Sequence, residues 1–213
     1  MNEKPILFNA EMVQAILSGQ KTQTRRIIKP QPGSHLDDDI IKGAWEDGFI
    51  DVKCPYGKIR DQLWVRENTY ADHETSDSIV LSKYFDGTPV LIKHDGHDAV
   101  QHWSYSRDCR PSIHMERKSS RIQLEIKDVR VERLQDICEE DAIDEGIDIQ
   151  THPFDDASYY CKNYLDKEGM GWANGFANNG IKSFQSLWQS INGEESWANN
   201  PWVWVVKFER IKP

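Results

Sequence analysis

The sequence lacks the patterns that mark membrane and secreted proteins. Its four cysteines lie far apart, at positions 54, 109, 138 and 161, with no C-x-x-C pair, which argues against a zinc ribbon and a disulfide framework. No apolar run approaches the roughly 18 to 20 residues that a membrane-spanning helix needs. The opening MNEKPILFNAEM has neither the basic nor the apolar block of a signal peptide. We therefore expect a cytoplasmic protein with reduced thiols and no membrane partner.

Cofactor motifs are also missing. No Walker loop, Rossmann fingerprint or G-x-S-x-G elbow occurs, so no cofactor is expected. The one cluster of histidines and carboxylates is H-D-G-H-D, from His94 to Asp98, whose side chains are of the types that bind transition metals. Because one loop rarely supplies a full ligand set, we interpret this string as a polar turn around a glycine and predict no metal site.

Length and charge indicate one folded domain with a local acidic region. The 213 residues are 38% hydrophobic and 29% charged, enough to bury one sizeable core. The net charge of −9 arises within residues 136–169, which hold eleven acidic and two basic side chains. Residues 1–34 and 102–135 each have three more basic than acidic side chains, which leaves a modest basic face for phosphates. We expect residues 1–213 to form a single elaborated domain with insertions at about 70–100 and 150–180.

Three segments have the period and the end signals of helices. The first, from Asn9 to Ser18, has a capping asparagine before an apolar face and Gly19 after it. The second is short, between Cys138 and Gly146, with acidic residues in its first turn. The third places Ile181, Phe184, Leu187, Trp188 and Ile191 on one face and ends at Asn192–Gly193.

Strand patterns lie between and after these helices, so we predict an α+β fold whose core is a small mixed β-barrel or a strongly curved sheet. The long segment from Arg121 to Val131 alternates and then changes phase, as a bend or bulge requires. The segments 20–26 and 151–180 show no strand period, and we interpret them as a polar loop and as an insertion or mobile loop. The remaining predicted strands are Gln62–Glu67, Trp202–Arg210 and a ribbon of Ile79–Tyr84 with Pro89–Lys93 around Asp86–Gly87.

The polar loop after the first helix has the side chains for chemistry. It offers the amine of Lys21, two threonine hydroxyls, and the guanidiniums of Arg25 and Arg26 within six residues. Such a loop can be a solvated basic surface, can bind phosphate through the arginines, or can pair a lysine base with the Thr24 hydroxyl as nucleophile. The third interpretation requires a lowered lysine pKa, which neighbouring cations favour.

The chain resembles a known family through this loop and four longer strings. Gly19, Lys21, Thr24 and Arg26 form a G-x-K-x-x-T-x-R string that is similar to that of the ASCH domain, a branch of the PUA-like β-barrel superfamily associated with RNA. The longer strings resemble the larger ASCH proteins of phages and prophages and cover most of the chain. These strings are LWVRE, SRIQLEIKDVRVERLQDI, EEDAIDEGI and LWQSINGEESWANNPWVWVVKFE.

The resemblance implies an enzyme site, because small ASCH proteins hydrolyse the amide of N4-acetylcytidine with a lysine, a threonine and a glutamate. Lys21 and Thr24 match the first two, and Glu145 matches the third most closely. We expect Lys21 to take the Thr24 proton, the alkoxide to attack the acetyl carbonyl, and Glu145 to protonate the leaving amine. Predicted substrate-binding residues are Arg25, Arg26, Trp64 and Glu67, of which Glu67 is also the second choice for the acid.

Two other functions stay open for the same chain. A non-catalytic module could bind single-stranded RNA through aromatic and basic side chains, for which Trp103, Trp172 and the loop from Arg107 to His114 are the candidates. A metal-independent ribonuclease could use Lys21 as its acid or base. The expected partner is therefore a modified nucleoside or single-stranded RNA, and the sequence makes no prediction of the oligomeric state.

Overall fold

A computed structural model of the chain describes residues 2–31, 41, 43–44, 53–152, 155–166, 176–177 and 179–211. The chain divides into two compact units, and it passes between them several times. The first unit comprises Met1–Gln14, Pro55–Ile126 and Glu209–Pro213, and the second comprises Ala15–Cys54 and Lys127–Phe208. The prediction of a single domain over residues 1–213 stays a prediction.

The three predicted helices are confirmed. Asn9 Oδ1 accepts the backbone N–H of Met12 at 2.8 Å and caps the first helix, and Gly19, with φ of 81°, follows its end. Asn179 Oδ1 caps the third helix in the same way, through the N–H of Lys182 at 2.9 Å. The helices are α1 (Ala10–Leu17), α2 (Glu139–Asp144) and α3 (Gly180–Asn192). No helix in the described ranges is long and apolar enough to cross a membrane.

Thirteen strands are present in the described part of the chain, so the fold class is α+β. The strands are β1 (Glu3–Leu7), β2 (Gln23–Ile27), β3 (Gln62–Arg66), β4 (Thr69–Asp72), β5 (Leu81–Tyr84), β6 (Leu91–His94), β7 (His97–Val100), β8 (Cys109–Arg110), β9 (Gln123–Arg133), β10 (Ile149–His152), β11 (Asp155–Cys161), β12 (Phe176–Ala177) and β13 (Trp202–Ile211). They form open sheets, and no closed barrel occurs among the described residues. The PUA-like barrel is therefore not confirmed.

In the first unit, β1 lies parallel to β3, and β3 lies antiparallel to the first residues of β9. A second sheet has the order β5-β4-β8, and β6 and β7 form a hairpin. The turn at Asp86–Gly87 is confirmed by a φ of 82° at the glycine and by the bond from Val90 N to Ser82 O at 2.8 Å. The predicted ribbon is confirmed next to this turn, where Lys83 pairs antiparallel with Pro89, whereas β5 also pairs with β4 and the residues of β6 pair with β7.

In the second unit, the sheet order is β9-β13-β2, with β13 antiparallel to β2. The core of this unit lies between this sheet and the helices α2 and α3. Its buried side chains are Leu134, Ile137, Ala142, Ile147, Cys161, Phe184, Leu187, Trp188, Val203 and Val205. The phase change predicted in the long strand is confirmed, since Ile122, Leu124 and Ile126 are buried and, after an exposed Lys127, Val131 is buried.

Two segments interpreted as loops contain strands. Residues 23–27 form β2 because the chain end supplies β13 as a partner for a segment whose own residues are polar. Residues 149–152, 155–161 and 176–177 form a three-stranded sheet of order β10-β11-β12, whereas residues 153–154, 167–175 and 178 lie outside the described residues. For β2 the pairing partner is distant in sequence, and a local pattern does not reveal such a partner, whereas β10 and β11 are neighbours in the sequence.

Candidate functional site

The loop that carries Lys21 is held by backbone hydrogen bonds within the second unit. Gly19 reverses the chain after α1, and the N–H groups of Gln20 and Lys21 both donate to Ala15 O at 2.9 Å. The next N–H, from Thr22, donates to Asp144 O of α2 at 2.9 Å. These bonds place the loop against the end of α2, which is where the predicted acid lies.

The Lys21 ammonium is buried against Glu145. Lys21 Nζ donates to Glu145 O at 2.7 Å and to Glu145 Oε2 at 3.0 Å, and its side chain is 0% exposed. This approach requires a glycine next in the chain: a Cβ at Gly146 would lie 2.7 Å from Lys21 Cβ and 3.0 Å from Ala15 Cβ. Gly146 also has φ of 80°, so it ends α2 and admits the lysine at the same time.

Arg25 binds the other oxygen of the same carboxylate. It extends from β2, and its NH1 donates to Glu145 Oε1 at 3.2 Å. Its NH2 donates to Asp141 Oδ2 at 2.7 Å and to Glu132 Oε2 at 3.1 Å. Each oxygen of Glu145 thus accepts from a different cation, which fixes the orientation of the carboxylate.

Further charges surround this pair. Asp141 Oδ2 also accepts from Arg130 NH2 at 2.6 Å, and Asp141 Oδ1 lies 3.6 Å from Lys207 Nζ. The backbone carbonyl of Asp141 accepts from Gln23 Nε2 at 2.9 Å. We call the set of Lys21, Arg25, Arg130, Glu132, Asp141 and Glu145 the buried charge cluster.

Burial and charge shift the pKa values in this cluster. Burial lowers the pKa of Lys21, the charge of Glu145 opposes this effect, and the guanidiniums of Arg26 and Arg25 add to the lowering. Burial raises the pKa of Asp141, but the hydrogen bond and charge of Arg25, with the charges of Arg130 and Lys207, outweigh it, so the net shift is downward. The Lys21 amine is therefore easier to deprotonate than an exposed lysine, while Asp141 stays ionised.

Thr24 does not join Lys21 and Glu145 in this structure. Gln23 and Arg25, on either side of it in β2, both contact α2, and side chains alternate along a strand, so Thr24 leaves the opposite face. Thr24 is 2% exposed and faces Val206 of β13 in the strand register. No hydrogen bond from its hydroxyl to any described residue is found. By the same alternation, half-buried Arg26 lies on the Thr24 face.

Glu67 and Trp64 belong to the first unit. Glu67 is 3% exposed and forms two bonds of 2.9 Å with Arg121, from Nε to Oε1 and from NH2 to Oε2. Burial raises the pKa of Glu67, although Arg121 opposes the shift. Trp64 is half-buried, with the guanidiniums of Arg66 and Arg117 at 5.2 and 5.9 Å from its ring centroid.

The H-D-G-H-D string forms the hairpin turn between β6 and β7, as interpreted. Asp95 and Gly96 have φ of 49° and 82°, which a tight hairpin turn requires. His94 Nδ1 lies 3.4 Å from Asp95 Oδ2, and both side chains are largely exposed. Within the described residues, no group of three or more metal-binding side chains occurs.

Three of the six residues of the buried charge cluster were not predicted from the sequence: Arg130, Glu132 and Asp141. A signal for Asp141 was present, because Asp141 and Glu145 are four residues apart and share one helix face. Gln23 and Arg25, two residues apart in a strand, meet that face. For Arg130 and Glu132 the sequence holds no comparable signal, since they come from a strand about 100 residues away from Arg25.

A groove of about 680 Å³ lies elsewhere on the second unit, and none of the predicted catalytic side chains lines it. It runs beside the end of α3. Its walls are formed by Ile27, Lys29, Gln31, Asn192, Gly193, Glu194, Glu195, Ser196, Asn199 and Pro201.

Comparison with known proteins gives one structural similarity. The sequence matches no known protein family. A search of curated proteins also finds no relative. Among solved structures, the chain is similar to the crystal structure of an ASCH domain from Lactobacillus crispatus JV V101. The similarity extends over 98% of this chain and 79% of that chain, with 9% sequence identity and a TM-score of 0.36.

The cluster itself defines the chemistry available. A buried amine with a lowered pKa, hydrogen-bonded to a carboxylate, can exchange a proton with that carboxylate over 3.0 Å. The same arrangement also links β2 to α2, and this structural role accounts for the Arg25 contacts. The Lys21 and Glu145 pair is therefore the feature of the second unit that a proton-transfer function would use.

Proposed function

We propose that the second unit is an amidohydrolase of the ASCH type, with the PUA-like architecture that this type implies, and that it deacetylates N4-acetylcytidine-type substrates. In this proposal Lys21 is the base, Thr24 the nucleophile and Glu145 the acid, with Arg25 and Arg26 orienting the substrate or the carboxylate. The observation that carries the proposal is the buried contact of 3.0 Å between Lys21 Nζ and Glu145 Oε2.

This contact supports proton transfer for two reasons. A lysine acts as a base only when part of its population is neutral, and burial lowers the pKa of Lys21 in that direction. Arg25 and Lys21 bind separate oxygens of Glu145, so the carboxylate keeps one orientation during a proton transfer. A solvated loop lysine would have neither property.

In the proposed reaction, one proton moves from Thr24 to the leaving amine by way of Lys21 and Glu145. Lys21 accepts the Thr24 proton, Thr24 Oγ1 bonds to the acetyl carbon, and the carbon–N4 bond breaks. The proton passes from Lys21 through Glu145 to N4, which leaves as the amine of cytidine. Water then cleaves the acyl-threonine ester and releases acetate. Because Thr24 leaves the face of β2 opposite to Arg25, the proposal requires β2 to rearrange so that the Thr24 hydroxyl meets Lys21 when substrate is bound.

Release of cytidine and acetate from N4-acetylcytidine by the purified full chain tests the proposal. Lys21→Met and Glu145→Gln are expected to reduce the rate at least about 100-fold, the scale of general acid–base catalysis. Lys182→Met, an exposed lysine of α3, is the control and is expected to keep the rate. Circular dichroism and the melting temperature show whether each variant is folded. No product from the unaltered protein, or an unchanged rate in a folded Lys21→Met, would contradict the proposal.

Thr24 is tested separately with a shape-conserving change. Thr24→Val removes the hydroxyl and keeps the volume, and Thr22→Val does the same two residues earlier. Loss of turnover in Thr24→Val alone supports the acyl-threonine step. If folded Thr24→Val keeps its rate, water attacks directly and Thr24 is not the nucleophile. If instead RNA is cleaved without metal and N4-acetylcytidine is untouched, the chain is a ribonuclease that uses Lys21.

A further inference from the structure

Two polar atoms of β2 are buried without a hydrogen-bond partner among the described residues. They are Gln23 Oε1, which can accept a hydrogen bond, and Arg25 Nε, which can donate one. Gln23 is 0% exposed, and so is the Arg25 side chain, so bulk water reaches neither atom. A buried polar atom without a partner costs folding free energy, and a binding or catalytic role is one reason that a protein keeps it.

The glutamine oxygen is the less common of the two. In the described part of the chain it is the only side-chain acceptor that is buried without a partner. Arg66 and Arg117 also have a buried Nε without a partner, but both belong to the first unit, where no such acceptor accompanies them. An unpartnered acceptor together with an unpartnered donor therefore occurs at Gln23 and Arg25 of β2 and is not a general property of the buried arginines.

The two side chains converge on one residue of α2. Gln23 Nε2 donates to Asp141 O at 2.9 Å, and Arg25 NH2 donates to Asp141 Oδ2 at 2.7 Å. Residues two apart in a strand are separated by about 6.6 Å and point to the same face. One small group with a hydrogen bond of about 2.9 Å at each end is able to bridge such a distance. A single ligand can therefore satisfy both atoms.

Both side chains are held by their other nitrogens. Arg25 NH1 donates to Glu145 Oε1 at 3.2 Å, and its guanidinium carbon lies 5.9 Å from the centroid of the Phe184 ring. The Gln23 amide has one orientation, because the Asp141 carbonyl only accepts and so requires Nε2 beside it. The unpartnered oxygen and N–H thus keep fixed directions, and fixed polar groups lose little freedom when they bind a ligand.

The pair of one acceptor and one donor restricts the ligand. A carboxylate or a phosphate only accepts, so it leaves Gln23 Oε1 without a partner, and an ammonium only donates, so it leaves Arg25 Nε without one. An ester has a carbonyl oxygen but no N–H. A secondary amide has both, and it is therefore the acyl compound that satisfies the two atoms together.

We propose that Gln23 and Arg25 bind the secondary amide of the substrate, with Arg25 Nε donating to the acetyl oxygen and Gln23 Oε1 accepting the amide N–H. The proposal rests on the amidohydrolase function and deepens it, because Gln23 restricts binding to amides that carry an N–H. Esters, amides without an N–H and the product acetate leave Gln23 Oε1 unpartnered. The side chains of Lys21 and Arg25 are equally buried, so the movement that admits substrate to one face of Glu145 also exposes this pair.

NMR titration of the isotope-labelled full chain tests the proposal, with the Arg25 Nε–H signal as the reporter. The probes are N-methylacetamide, N,N-dimethylacetamide and methyl acetate, which share the acetyl group, and only the first has an N–H. We expect this signal to respond to N-methylacetamide at concentrations at least about tenfold lower than to the other two, because these leave a buried acceptor unpartnered. An equal response to all three probes, or no response, as expected if a water molecule bridges the pair, overturns the proposal.

A variant assigns the preference to Gln23. Gln23→Met keeps the approximate length of the side chain and removes its oxygen, so the preference for N-methylacetamide should fall from about tenfold to none. Gln150→Met changes an exposed glutamine of β10 in the same unit and is expected to keep the preference. Circular dichroism shows whether the variants are folded. A preference that persists in folded Gln23→Met overturns the assignment, and if this variant does not fold, the three probes on the unaltered chain decide.

The failure of this proposal and that of the amidohydrolase are distinguishable. A chain that prefers N-methylacetamide but releases no cytidine from N4-acetylcytidine keeps the amide-binding pair and contradicts the amidohydrolase. A chain that releases cytidine and responds equally to the three probes keeps the amidohydrolase and overturns the role of Gln23.

Discussion

Two opposing effects act on the pKa of Lys21. Burial favours the neutral amine, and the Glu145 carboxylate favours the ammonium. In such a pair the desolvation cost is offset only while both partners are present, so removing one leaves the other charge buried with fewer partners. Glu145 keeps Arg25 when Lys21 is lost, which limits the cost without removing it.

A double-mutant cycle measures how far Lys21 and Glu145 depend on each other for stability. Lys21→Met and Glu145→Gln are each expected to lower the free energy of unfolding by about 3 kcal/mol, because each breaks a buried pair. The double variant should lose less than the sum, since it leaves no uncompensated charge at this contact. Urea denaturation of the four proteins measures this. Additive losses would show that the two side chains do not depend on each other.

The close packing of Lys21 against Gly146 can be tested by comparison with Gly19. Gly146 and Gly19 both end a helix with nearly the same φ, 80° and 81°, but only Gly146 has a side chain against it. Gly19→Ala should therefore cost about 1 kcal/mol for the left-handed backbone alone. Gly146→Ala should cost more, about 3 kcal/mol, because the new Cβ meets Lys21 Cβ at 2.7 Å. Equal losses in thermal unfolding would contradict the proposed close packing.

At the scale of elements, a carboxylate of α2 holds the start of α3. Glu139 Oε1 accepts the N–H of Gly180, and its Oε2 accepts that of Ile181 at 3.2 Å. These N–H groups belong to the first turn of α3, where a helix favours negative charge. The bonds add to the local cap from Asn179, so α3 depends on α2 for part of its N-terminal capping.

Glu139→Gln tests this dependence. The amide keeps the length of the side chain and removes its charge, so we expect a loss of about 1 kcal/mol from weaker bonds to the helix N-terminus. Glu140→Gln changes the neighbouring exposed carboxylate and is expected to change the free energy of unfolding by less than half of that. Urea denaturation compares the two variants. Equal effects would mean that general charge, and not the α3 contact, is responsible.

Tyr159 of β11 also binds Glu139, and its ionisation makes the free energy of unfolding depend on pH. Its hydroxyl donates to Glu139 Oε1 at 3.0 Å, and burial together with this bond raises the pKa of Tyr159 to about 12. An unfolded tyrosine loses its proton near pH 10, so the unfolded chain ionises first. Stability from this group is therefore present below about pH 10 and is lost as the pH rises toward 12.

The comparison of the unaltered protein with Tyr159→Phe isolates this contribution. The difference in their free energies of unfolding should shrink between about pH 10 and 12, because phenylalanine has no proton to lose. Denaturation at several pH values in this range provides the measurement. A difference that stays constant would show that the hydroxyl titrates equally in the folded and unfolded chains.

At the scale of the whole molecule, the four thiols are free and differ in exposure. Cys138 is exposed, Cys54 and Cys109 are half-buried, and Cys161 is buried in the core of the second unit. Burial also raises the pKa of Cys161, which lowers its thiolate fraction. Cys138 should therefore react faster than Cys54 and Cys109, and these two faster than Cys161.

Alkylation followed by peptide mass spectrometry tests this order. Cys138 is expected to react first with iodoacetamide at pH 8, and Cys161 only when the second unit unfolds. A reducing agent should leave the melting temperature unchanged, because no disulfide contributes to stability. Rapid modification of Cys161 in the folded protein would contradict the packing described for this core.

The helices, the long strand β9 and the last strand were predictable, because each has its own period and its own end signals. Strand β2 was not, since its residues Gln23 and Arg25 are polar and become buried only when Asp141 of α2 and Glu145, which follows α2, face them. The sheet β10-β11-β12 was missed because its residues have no apolar period that marks a strand, although β10 and β11 are neighbours in the sequence. A strand without such a period is defined by its pairing partners.

The candidate site was likewise predictable from the sequence only in part. Local sequence and the family resemblance were enough to choose Lys21, Thr24 and Glu145 as residues of interest, because residue type and spacing along the chain are properties of the sequence itself. Only the tertiary structure decided that Lys21 shares its carboxylate with Arg25 and that Thr24 leaves the other face of β2. Contacts between residues more than 100 positions apart depend on how helices and sheets pack, and local patterns do not specify that packing.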